Sequence, residues 1–491
     1  MRLRLLSRAS DLAVLQAGLV ARALTARWPD LEIVPATLAS AGDRDTNAAL
    51  WSLEDKGLFT SDLSDALVSG TADAVVHSWK DLPIEPRPGT TIAATLERAN
   101  PRDVLLIRRD VVESRPGTLT VLSSSPRRAW QLESSLSSLL PWPVEAVRTA
   151  PVRGNVPTRL SKLIRGDGDA LVVARAALER LLSESAPEAV RASVRGAIDR
   201  TRWMVLPIDE HPTAPAQGAL AVEIASNRPD VEARVRAISH APTWAAVERE
   251  RAILASYGGG CHAAIGATVL EHDFGRVVSV RARMEHAPDQ RTWTLETRTP
   301  PPPRVASALI WPRRDERDVA TRTALDVPMP ADGIGFWVAR ADALPEAWPV
   351  TADRLVWAAG TKTWRRLAAR GVFVNGCAEG LGDAVAPALD ALAGRTVTWR
   401  RLTHADAGDP DALATYVVQH PLPADIGART HFFWSSGQVF RDALAHYPDL
   451  AHRWHASGPG RTARVIRDTL PSPSRTSVWL DYDQWHQAVT E

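Results

Sequence analysis

Apolar residues in the first hundred positions alternate between short runs and stripes of helical spacing. Runs at 3–6, 31–34 and 72–76 predict buried strands, and two helical stripes lie between them, one beginning at Ser10 and one ending at Gly70. Strands that alternate with helices are typical of βαβ units. The pattern therefore predicts a mostly parallel sheet in an α/β fold.

A second unit of the same kind begins near Pro101. Runs at 119–122 and 170–174 predict strands, and helices are predicted at 126–140 and 176–182. Pro at position 126 suits the first residue of a helix, where its missing N–H costs nothing.

Two further features organise the rest of the chain. The apolar run at 218–225 predicts a strand that we expect to return to the first unit. Four consecutive prolines at 300–303 favour extended backbone and predict a linker, so the residues after them form a candidate separate domain. Within that domain, 355–363 and 454–462 share a strand, a glycine turn and the start of a helix.

Composition narrows the class of protein. A chain of 491 residues corresponds to roughly three or four domains at about 150 residues each. Neither a secretory signal nor an apolar stretch approaching the roughly 18 residues of a membrane helix is visible. Two cysteines cannot form a disulfide framework. A net charge of +1 excludes a strongly basic nucleic-acid binder, unless the charge is segregated on one face. We therefore expect a cytoplasmic protein without membrane or nucleic-acid partners.

Two turns between a predicted strand and a predicted helix combine hydroxyl groups with arginines. The first contains Arg8 and Ser10, and the second contains Ser125, Arg127 and Arg128. The N-terminus of a helix attracts anions, and an arginine can hold a carboxylate or phosphate through two parallel hydrogen bonds. Serine caps beside solvated arginines are the alternative interpretation of either turn.

Three more arginines follow predicted strands. Arg153 and Arg159 flank a glycine turn, and Arg180 lies on a predicted helix. Ligands in open α/β sheets bind at the carboxyl ends of strands, so arginines at these turns predict one pocket for a polyanion. A purely solvating role would scatter them along helix faces.

Lys80 and Asp81 follow directly on the strand predicted at 72–76. We expect Asp81 to face the same crevice as the arginines. There it could form an ion pair, act as a general acid or base, or stabilise a cationic intermediate. A structural Lys–Asp turn is the alternative.

Cys261 follows three consecutive glycines. Glycine permits positive φ, so this run predicts a sharply turned, exposed loop. A thiol presented in this way is a candidate covalent attachment point or nucleophile. A buried, unreactive cysteine is the alternative.

These motifs resemble, in the same order, those of the hydroxymethylbilane synthase family, also called porphobilinogen deaminases. The resemblance runs continuously from residue 1 to about 300. The matching segments are 8–10, 56–59, 72–83, 101–103, 124–128, 153–163, 215–219 and 259–261.

The resemblance implies a transferase of heme and tetrapyrrole biosynthesis. Such an enzyme condenses four porphobilinogen molecules head to tail, with loss of ammonia, onto a dipyrromethane primer, and water then releases the linear tetrapyrrole. Cys261 would hold the dipyrromethane cofactor through a thioether. Asp81 would be the catalytic residue, stabilising pyrrole nitrogens and a cationic intermediate and transferring protons.

The remaining site residues implied by the resemblance are polar and mostly basic. Those expected to bind the cofactor are Cys261, Lys80, Asp81, Ser125, Arg127, Arg128 and Arg153. Those expected to bind substrate are Arg8, Ser10, Arg153, Arg159, Arg180 and Gln217. Each porphobilinogen carries two carboxylates, which accounts for the many bidentate cations. No metal is expected.

The resemblance also implies how the α/β fold is divided. It predicts two periplasmic-binding-protein-like lobes with parallel-rich sheets, a small α+β domain that carries the cofactor, and a C-terminal α/β region. The expected limits are 1–99 with 217–237 for the first lobe, 100–216 for the second, 238–299 for the small domain, 300–304 for the linker and 305–491 for the C-terminal region.

Residues 305–491 resemble the uroporphyrinogen-III synthases more loosely. The matching segments are 360–363, 379–381, 431–437 and 458–462. Those enzymes close the linear tetrapyrrole with inversion of one ring, so a fusion would join consecutive steps. The region is shorter than the synthases, and a structural role without catalysis is the alternative. No catalytic residue is assigned in it.

Two other functions fit part of the pattern. A solute-binding protein also has two α/β lobes around an anion pocket, and a paralogue could bind a tetrapyrrole without making one. Neither would need both Cys261 and Asp81. The sequence therefore favours a monomeric enzyme whose partners are porphobilinogen and polypyrrole intermediates.

Overall fold

The computed structural model describes residues 1–38, 61–258, 264–284, 288–297, 299–317, 320–382, 387–405 and 412–491. Within these ranges the strands form five sheets. The strands are β1 (Arg2–Arg8), β2 (Glu32–Leu38), β3 (Ala74–Ser78), β4 (Thr90–Ala94), β5 (Asp103–Arg108), β6 (Thr118–Leu122), β7 (Ala146–Ala150), β8 (Ala170–Ala174), β9 (Thr201–Val205), β10 (Leu220–Ala225), β11 (Ile265–His272), β12 (Gly275–Ala282), β13 (Gln290–Glu296), β14 (Ile310–Trp311), β15 (Thr321–Ala324), β16 (Ile334–Val338), β17 (Val356–Ala358), β18 (Gly376–Cys377), β19 (Thr398–His404), β20 (Ala412–Gln419), β21 (His431–Trp434), β22 (Trp454–Ser457) and β23 (Thr476–Val478).

The α-helices of the described residues are α1 (Asp11–Arg27), α2 (Ser61–Val68), α3 (Arg109–Ser114), α4 (Pro126–Ser135), α5 (Val156–Arg165), α6 (Arg175–Leu181), α7 (Glu188–Asp199), α8 (Pro229–Arg236), α9 (Ala241–Ser256), α10 (Thr361–Ala369), α11 (Asp390–Ala393), α12 (Gly437–His446), α13 (Arg461–Thr469) and α14 (Tyr482–Val489). None of these helices is both long and apolar enough to cross a membrane.

The first lobe is built on a five-stranded sheet with the order β2-β1-β3-β10-β4. β1 pairs in parallel with β2 and β3, whereas β10 runs antiparallel between β3 and β4. The predicted return of the 218–225 segment to this sheet is therefore confirmed.

The second lobe repeats this pattern with the order β7-β6-β8-β5-β9. β6 pairs in parallel with β7 and β8, and β5 runs antiparallel between β8 and β9. Each lobe thus has one antiparallel strand at the fourth position, and the chain enters the second lobe on β5 and returns to the first on β10. The α/β class with two parallel-rich lobes is confirmed.

A smaller α+β unit precedes the linker. α9 contacts an antiparallel sheet of order β11-β12-β13. Ala246 and Ile253 from the helix share an apolar cluster with Ala267, Val269 and Val278 from the sheet. This packing fixes α9, which ends at Ser256.

The C-terminal region contains two sheets. One is entirely parallel with the order β14-β21-β22-β23, and the other has the order β15-β20-β19-β16-β17-β18 with only the β15–β20 pair antiparallel. Strand β18 at the edge of the second sheet contacts β9 at the edge of the second lobe.

Hydrogen bonds and a shared core join this region to the second lobe. The Asn375 carbonyl accepts a 2.8 Å bond from the Val205 N–H, and Asn375 Nδ2 donates to the Trp203 carbonyl. Trp364 is fully buried and donates its indole N–H to the Leu139 carbonyl at 2.9 Å. Large apolar residues of both parts belong to the same cluster. The two parts therefore bury a common core.

The predicted helix at 126–140 differs from the structure in its second half. The α-helix ends at Ser135, and Leu136–Leu139 forms a 3-10 turn before the extended residue Leu140. The residue before a proline is disfavoured in the helical conformation, and Pro141 follows Leu140. The helix start is as predicted, with Ser125 as the cap and Pro126 in the first turn.

Candidate functional site

A buried carboxylate lies at the centre of the candidate site. Asp103 is the first residue of β5, and its Oδ1 accepts a 2.6 Å hydrogen bond from Arg128 Nη2. Its Oδ2 accepts from Arg128 Nε and from Arg127 Nη2, both at 3.1 Å. One carboxylate thus binds both arginines of the second turn.

The charges at this cluster favour the ionised form of Asp103. Burial alone would raise the pKa of this carboxyl, but the charges of Arg128 and Arg127 outweigh it and hold the pKa well below its usual range. Asp103 therefore stays an anion at neutral pH.

Arg127 and Arg128 differ in their surroundings. Arg127 is only 5% exposed, and it also donates Nη1 to Gln131 Oε1 and to the Pro212 carbonyl. Burial lowers the pKa of Arg127 from its ordinary value, against the attraction of Asp103. Arg127 therefore binds Asp103 from the protein interior, whereas Arg128 is partly exposed.

Gln217 connects this cluster to the first lobe. Its Nε2 donates to Asp103 Oδ1 at 2.8 Å and to the Pro101 carbonyl at 2.7 Å. Its Oε1 accepts from Arg128 Nη2 at 3.3 Å and from Lys80 Nζ at 3.4 Å. Because both ends of the amide are engaged within the protein, Gln217 aligns the two cations.

The backbone around Gln217 needs its glycine. Gly218 has a φ of +89°, and a Cβ at this position would lie 2.4 Å from the Ala99 carbonyl oxygen. The Gly218 carbonyl accepts a 2.7 Å hydrogen bond from Arg180 Nη2. The close approach therefore brings Arg180 of α6 to the same turn as Gln217.

Lys80 and Asp81 lie in a 3-10 turn of residues Trp79–Asp81 that follows β3. Trp79 is buried and packs edge-on against Trp244, and its backbone N–H donates a 3.1 Å hydrogen bond to the Ala219 carbonyl. This packing holds the Asp81 carboxylate at the surface, where it is exposed. Burial lowers the pKa of Lys80, and the opposite charge of Asp81 partly restores it.

Arg153 has a buried donor that none of the described residues satisfies. Its Nη2 is buried and has no hydrogen-bond partner among the residues that the structure describes. Buried guanidinium N–H groups are rarely left without an acceptor. A negatively charged ligand group would supply one.

Arg159 lies in the same electrostatic environment. Burial lowers the pKa of Arg159, the positive charges of Arg128 and Arg153 lower it further, and Asp81 acts in the opposite direction. Arg159 Nε donates to the Gly154 carbonyl at 2.8 Å. Arg159 of α5 therefore lies within electrostatic reach of Arg128 of α4 and of Asp81.

Arg8 is the last residue of β1, and Ser10 immediately precedes α1. Ser10 caps this helix by accepting the Ala13 N–H. α1 contacts α6, and Leu15 of α1 shares an apolar cluster with Leu178 of α6. The first turn is thereby linked to the helix that carries Arg180, whose pKa is lowered to about 10 by burial.

Cys261 lies outside the described residues. The helix that leads to it, α9, is fixed to both neighbouring units through Glu250, which is fully buried. Glu250 accepts two hydrogen bonds from Arg98, at 2.6 Å and 3.0 Å, and further bonds from the N–H groups of Ala216 and Val269. This carboxylate joins the small unit to the turn that contains Gln217.

Two carboxylates that organise the site were not predicted from the sequence. Asp103 lies in a matching segment but was given no role, and Glu250 was given none. The signal for Asp103 was its position beside Arg102, immediately before the four apolar residues at 104–107. The signal for Glu250 was its position on the same helical face as Ala246, Val247 and Ile253, which are buried apolar residues.

Among the described residues, the crevice carries more positive than negative charge. Its described cations are Lys80, Arg127, Arg128, Arg153, Arg159 and Arg180, and its described carboxylates are Asp81 and Asp103. Asp103 binds two arginines, whereas Asp81 is exposed. The arrangement suits a ligand with several carboxylates beside a group that develops positive charge.

Comparison with known proteins identifies relatives over this part of the chain. Residues 3–233 match the family model described as porphobilinogen deaminase, dipyromethane cofactor binding domain. The porphobilinogen deaminase of Ralstonia nicotianae is 36% identical over 311 residues, covering 63% of this chain and 86% of the relative. That of Mycobacterium avium is 40% identical over 267 residues, covering 54% of this chain and 76% of the relative.

Among solved structures, the substrate-binding protein of an amino acid ABC transporter matches 52% of this chain and 98% of its own, with 12% identity and a TM-score of 0.25. The sequence relatives, by contrast, are aligned over most of their length at more than 30% identity. The chain belongs to the porphobilinogen deaminase family.

Proposed function

We propose that the chain is a hydroxymethylbilane synthase, which condenses four porphobilinogen molecules head to tail with loss of ammonia and releases a linear tetrapyrrole. The observation that carries the proposal is the cationic crevice organised by Asp103, with the unsatisfied Arg153 Nη2 and the exposed Asp81 beside it. Membership of the porphobilinogen deaminase family supports it.

The crevice fits a dipyrromethane cofactor. The matched family model is a dipyrromethane-binding domain, and the unpartnered Arg153 Nη2 is the kind of donor that a cofactor carboxylate would satisfy. The residues that would hold the cofactor are Cys261, Lys80, Asp81, Ser125, Arg127, Arg128 and Arg153. When bound through the Cys261 thioether, the dipyrromethane supplies the pyrrole carbon to which the first substrate is coupled.

Asp81 carries the acid–base role in this proposal. Loss of ammonia from porphobilinogen leaves a cation, and a carboxylate at the mouth of the crevice stabilises it and accepts the proton released on coupling. Trp79 fixes the turn, so the Asp81 carboxylate is positioned before substrate arrives.

Arginines carry the binding role. Arg8, Ser10, Arg153, Arg159, Arg180 and Gln217 are proposed to bind substrate. Arg159 can offer a two-point contact to a carboxylate, whereas Arg128, whose Nε and Nη2 already bind Asp103, can offer its Nη1. Because both ends of its amide are engaged within the protein, Gln217 would act on the substrate through Arg128 and Lys80, which it aligns. Tethering the growing chain makes each coupling effectively intramolecular.

The test is turnover by the purified full chain. We expect it to consume porphobilinogen and release ammonia with a linear tetrapyrrole as the product. Asp81→Asn should lower kcat by a factor of about 100 or more, whereas Asp167→Asn, an exposed aspartate in the second lobe, should not. Binding of porphobilinogen without turnover by the wild-type chain would instead favour a solute-binding or tetrapyrrole-binding paralogue.

We propose, as a second function, that residues 305–491 form a uroporphyrinogen-III synthase-like domain. A cavity of about 760 Å³ adjoins Gly460 at the start of α13 and is lined by Arg464, Arg467 and Trp479. Basic and aromatic side chains suit a tetrapyrrole with carboxylates. Identifying the product as linear or as cyclised uroporphyrinogen III distinguishes an active domain from a structural one.

The domain limits stay a proposal that the sheets support. The first-lobe sheet draws on strands before residue 99 and on β10, and the second-lobe sheet uses strands between 100 and 216. Limited proteolysis should cut first near the linker at 300–304 if these limits are right.

A further inference from the structure

A buried ion pair joins the C-terminal region to the start of β5. Glu379 follows β18, and its Oε1 accepts a 2.8 Å hydrogen bond from Arg102 Nε while its Oε2 accepts a 2.6 Å bond from Arg102 Nη2. Both side chains are buried, with Arg102 only 3% exposed. Such a two-point pair fixes the direction as well as the position of the guanidinium.

Arg102 lies directly beside the residues that organise the crevice. The next residue, Asp103, binds Arg127 and Arg128. The Arg102 carbonyl accepts a 2.9 Å hydrogen bond from the N–H of Arg175, the first residue of the helix that carries Arg180. A displacement of Arg102 would therefore move both groups of crevice arginines.

Glu379 is held firmly in an unusual conformation. Its φ is +48°, a value that residues other than glycine rarely adopt. The flanking backbone is fixed by hydrogen bonds from Ala378 N–H to the Ala358 carbonyl and from Gly380 N–H to the Ala359 carbonyl. Glu379 Oε1 also accepts the Ile208 N–H at 3.1 Å. Strain of this kind persists only where the surroundings determine the position of the residue.

The buried charges of Arg102 and Glu379 stabilise each other. Burial opposes the charge on Arg102, but the attraction of Glu379 outweighs it, so the pKa of Arg102 is raised. Besides Glu379, the Arg102 side chain donates to Asn100 Oδ1 at 3.4 Å. Without the Glu379 charge, Arg102 would be a buried cation with a poor partner, and it would reorient.

We propose that Glu379 is a positioning residue for the deaminase crevice, so that the C-terminal region is a working part of the second lobe. Glu379 holds the Arg102 side chain in place, and Arg102 in turn fixes the position of Asp103 and of the first residue of α6. This inference rests on the proposed deaminase function for its kinetic test but not for its structural one.

The kinetic test compares two buried glutamates at the same interface. Glu210 is buried in the second lobe and binds Arg365 of the C-terminal region at 2.8 Å, but it does not contact Arg102. Glu379→Gln should raise the KM for porphobilinogen about 5- to 30-fold, and Glu210→Gln should change it less than about 2-fold. Equal effects of the two substitutions would overturn the proposal.

A double substitution tests whether Glu379 acts through Asp103. In an Asp103→Asn background, Glu379→Gln should raise KM by less than about 2-fold further, because the route is already broken. Full additivity of the two effects would contradict the proposed route.

Hydrogen exchange tests the positioning without any turnover. In Glu379→Gln the N–H groups of Arg175 and Leu206, which bond to the carbonyls of Arg102 and Asp103, should exchange about 10-fold faster. In Glu210→Gln they should not. Glu379→Asp, which keeps the charge but shortens the reach, should lie between wild type and Glu379→Gln and serves if the glutamine variant does not fold. An inactive wild-type chain would refute the deaminase function alone, whereas unchanged exchange in both Glu379 variants would refute the positioning role.

Discussion

The Asp103 carboxylate accepts Nη2 of Arg128 on one oxygen, at 2.6 Å, and Nε of the same residue on the other, at 3.1 Å. This two-point contact fixes the plane of the guanidinium. Because Asp103 begins β5 and Arg128 lies in the first turn of α4, the contact joins two elements of the second lobe at the crevice.

Asp103→Asn should damage both stability and turnover. The neutral amide leaves Arg127 and Arg128 adjacent without a shared anion, so we expect a loss of about 3–5 kcal/mol in the free energy of unfolding. Misplaced arginines should lower kcat/KM about 100-fold. Urea unfolding and porphobilinogen consumption measure the two effects.

The control for this substitution is Asp110→Asn, which breaks an exposed pair with Arg108 in the same lobe. Asp110→Asn should lower the free energy of unfolding by less than about 1 kcal/mol and leave turnover unchanged. Equal losses in the two variants would show that Asp103 is an ordinary surface partner.

Arg153→Lys should separate ligand binding from stability. Arg153 Nη2 has no acceptor among the described residues, so its loss removes no known bond within the protein. We expect the free energy of unfolding to change by less than about 0.5 kcal/mol, and the KM for porphobilinogen to rise about 10-fold, because lysine cannot make the two-point contact. Arg165→Lys, at an exposed pair with Asp167, is the control and should change neither quantity. A large loss of stability in Arg153→Lys would mean that the guanidinium serves the fold.

Gly218→Ala should disrupt the turn that aligns Gln217. The added Cβ would lie 2.4 Å from the Ala99 carbonyl oxygen, at a φ of +89°. We expect the free energy of unfolding to fall by more than about 2 kcal/mol. We also expect kcat/KM to fall, because the Gly218 carbonyl binds Arg180. Gly70 has a similar φ of +71°, but a Cβ added there would meet no atom within 4 Å. Gly70→Ala should therefore lower the free energy of unfolding by only about 1 kcal/mol. Equal stabilities of the two variants would contradict the close approach.

Asp209 should make stability fall as pH rises. Burial, and then the charge of Glu379, raise the pKa of Asp209 to about 7, and the Thr361 hydroxyl opposes this by hydrogen bonding. Between about pH 4 and pH 7 the folded chain keeps a proton that the unfolded chain has lost. The folded state binds more protons in this window, so this contribution to stability decreases as pH rises through it and is constant above it.

Asp209→Asn should remove that dependence. When the pH is raised from 4 to 8, we expect the free energy of unfolding of the variant to rise by on the order of 1–3 kcal/mol relative to that of wild type. Urea unfolding of both proteins across this range measures the difference. Parallel pH profiles would show that Asp209 titrates normally in the folded chain.

Much of the fold could be predicted from local patterns. The alternation of apolar runs and helical stripes gave the lobes, and Ser10 and Ser125 cap helices where hydroxyl residues precede a stripe. The 3-10 turn after Ser135 was missed because the apolar stripe continues through the buried Leu136 and Leu139, although Pro141 disfavours a helical Leu140.

The residue types at strand ends predicted a crevice for a polyanion, and its ligand role stays a prediction. The structure places Arg128 and Arg153 close enough to lower the pKa of Arg159, which agrees with the strand order that a βαβ pattern indicates. The pairing of Arg102 with Glu379 could not be predicted, because it joins residues 277 positions apart across two units. The prolines at 300–303 indicated a separate domain and gave no sign of the shared core beyond them.

The most direct test of the central claim is the intact mass of the denatured wild-type chain beside that of Cys261→Ser. The account predicts that the wild-type chain is heavier than its sequence by two pyrrole units and consumes porphobilinogen. It predicts that Cys261→Ser has the mass of its sequence and no turnover. A wild-type mass equal to that of the bare sequence, or a Cys261→Ser chain that keeps full turnover, would contradict it.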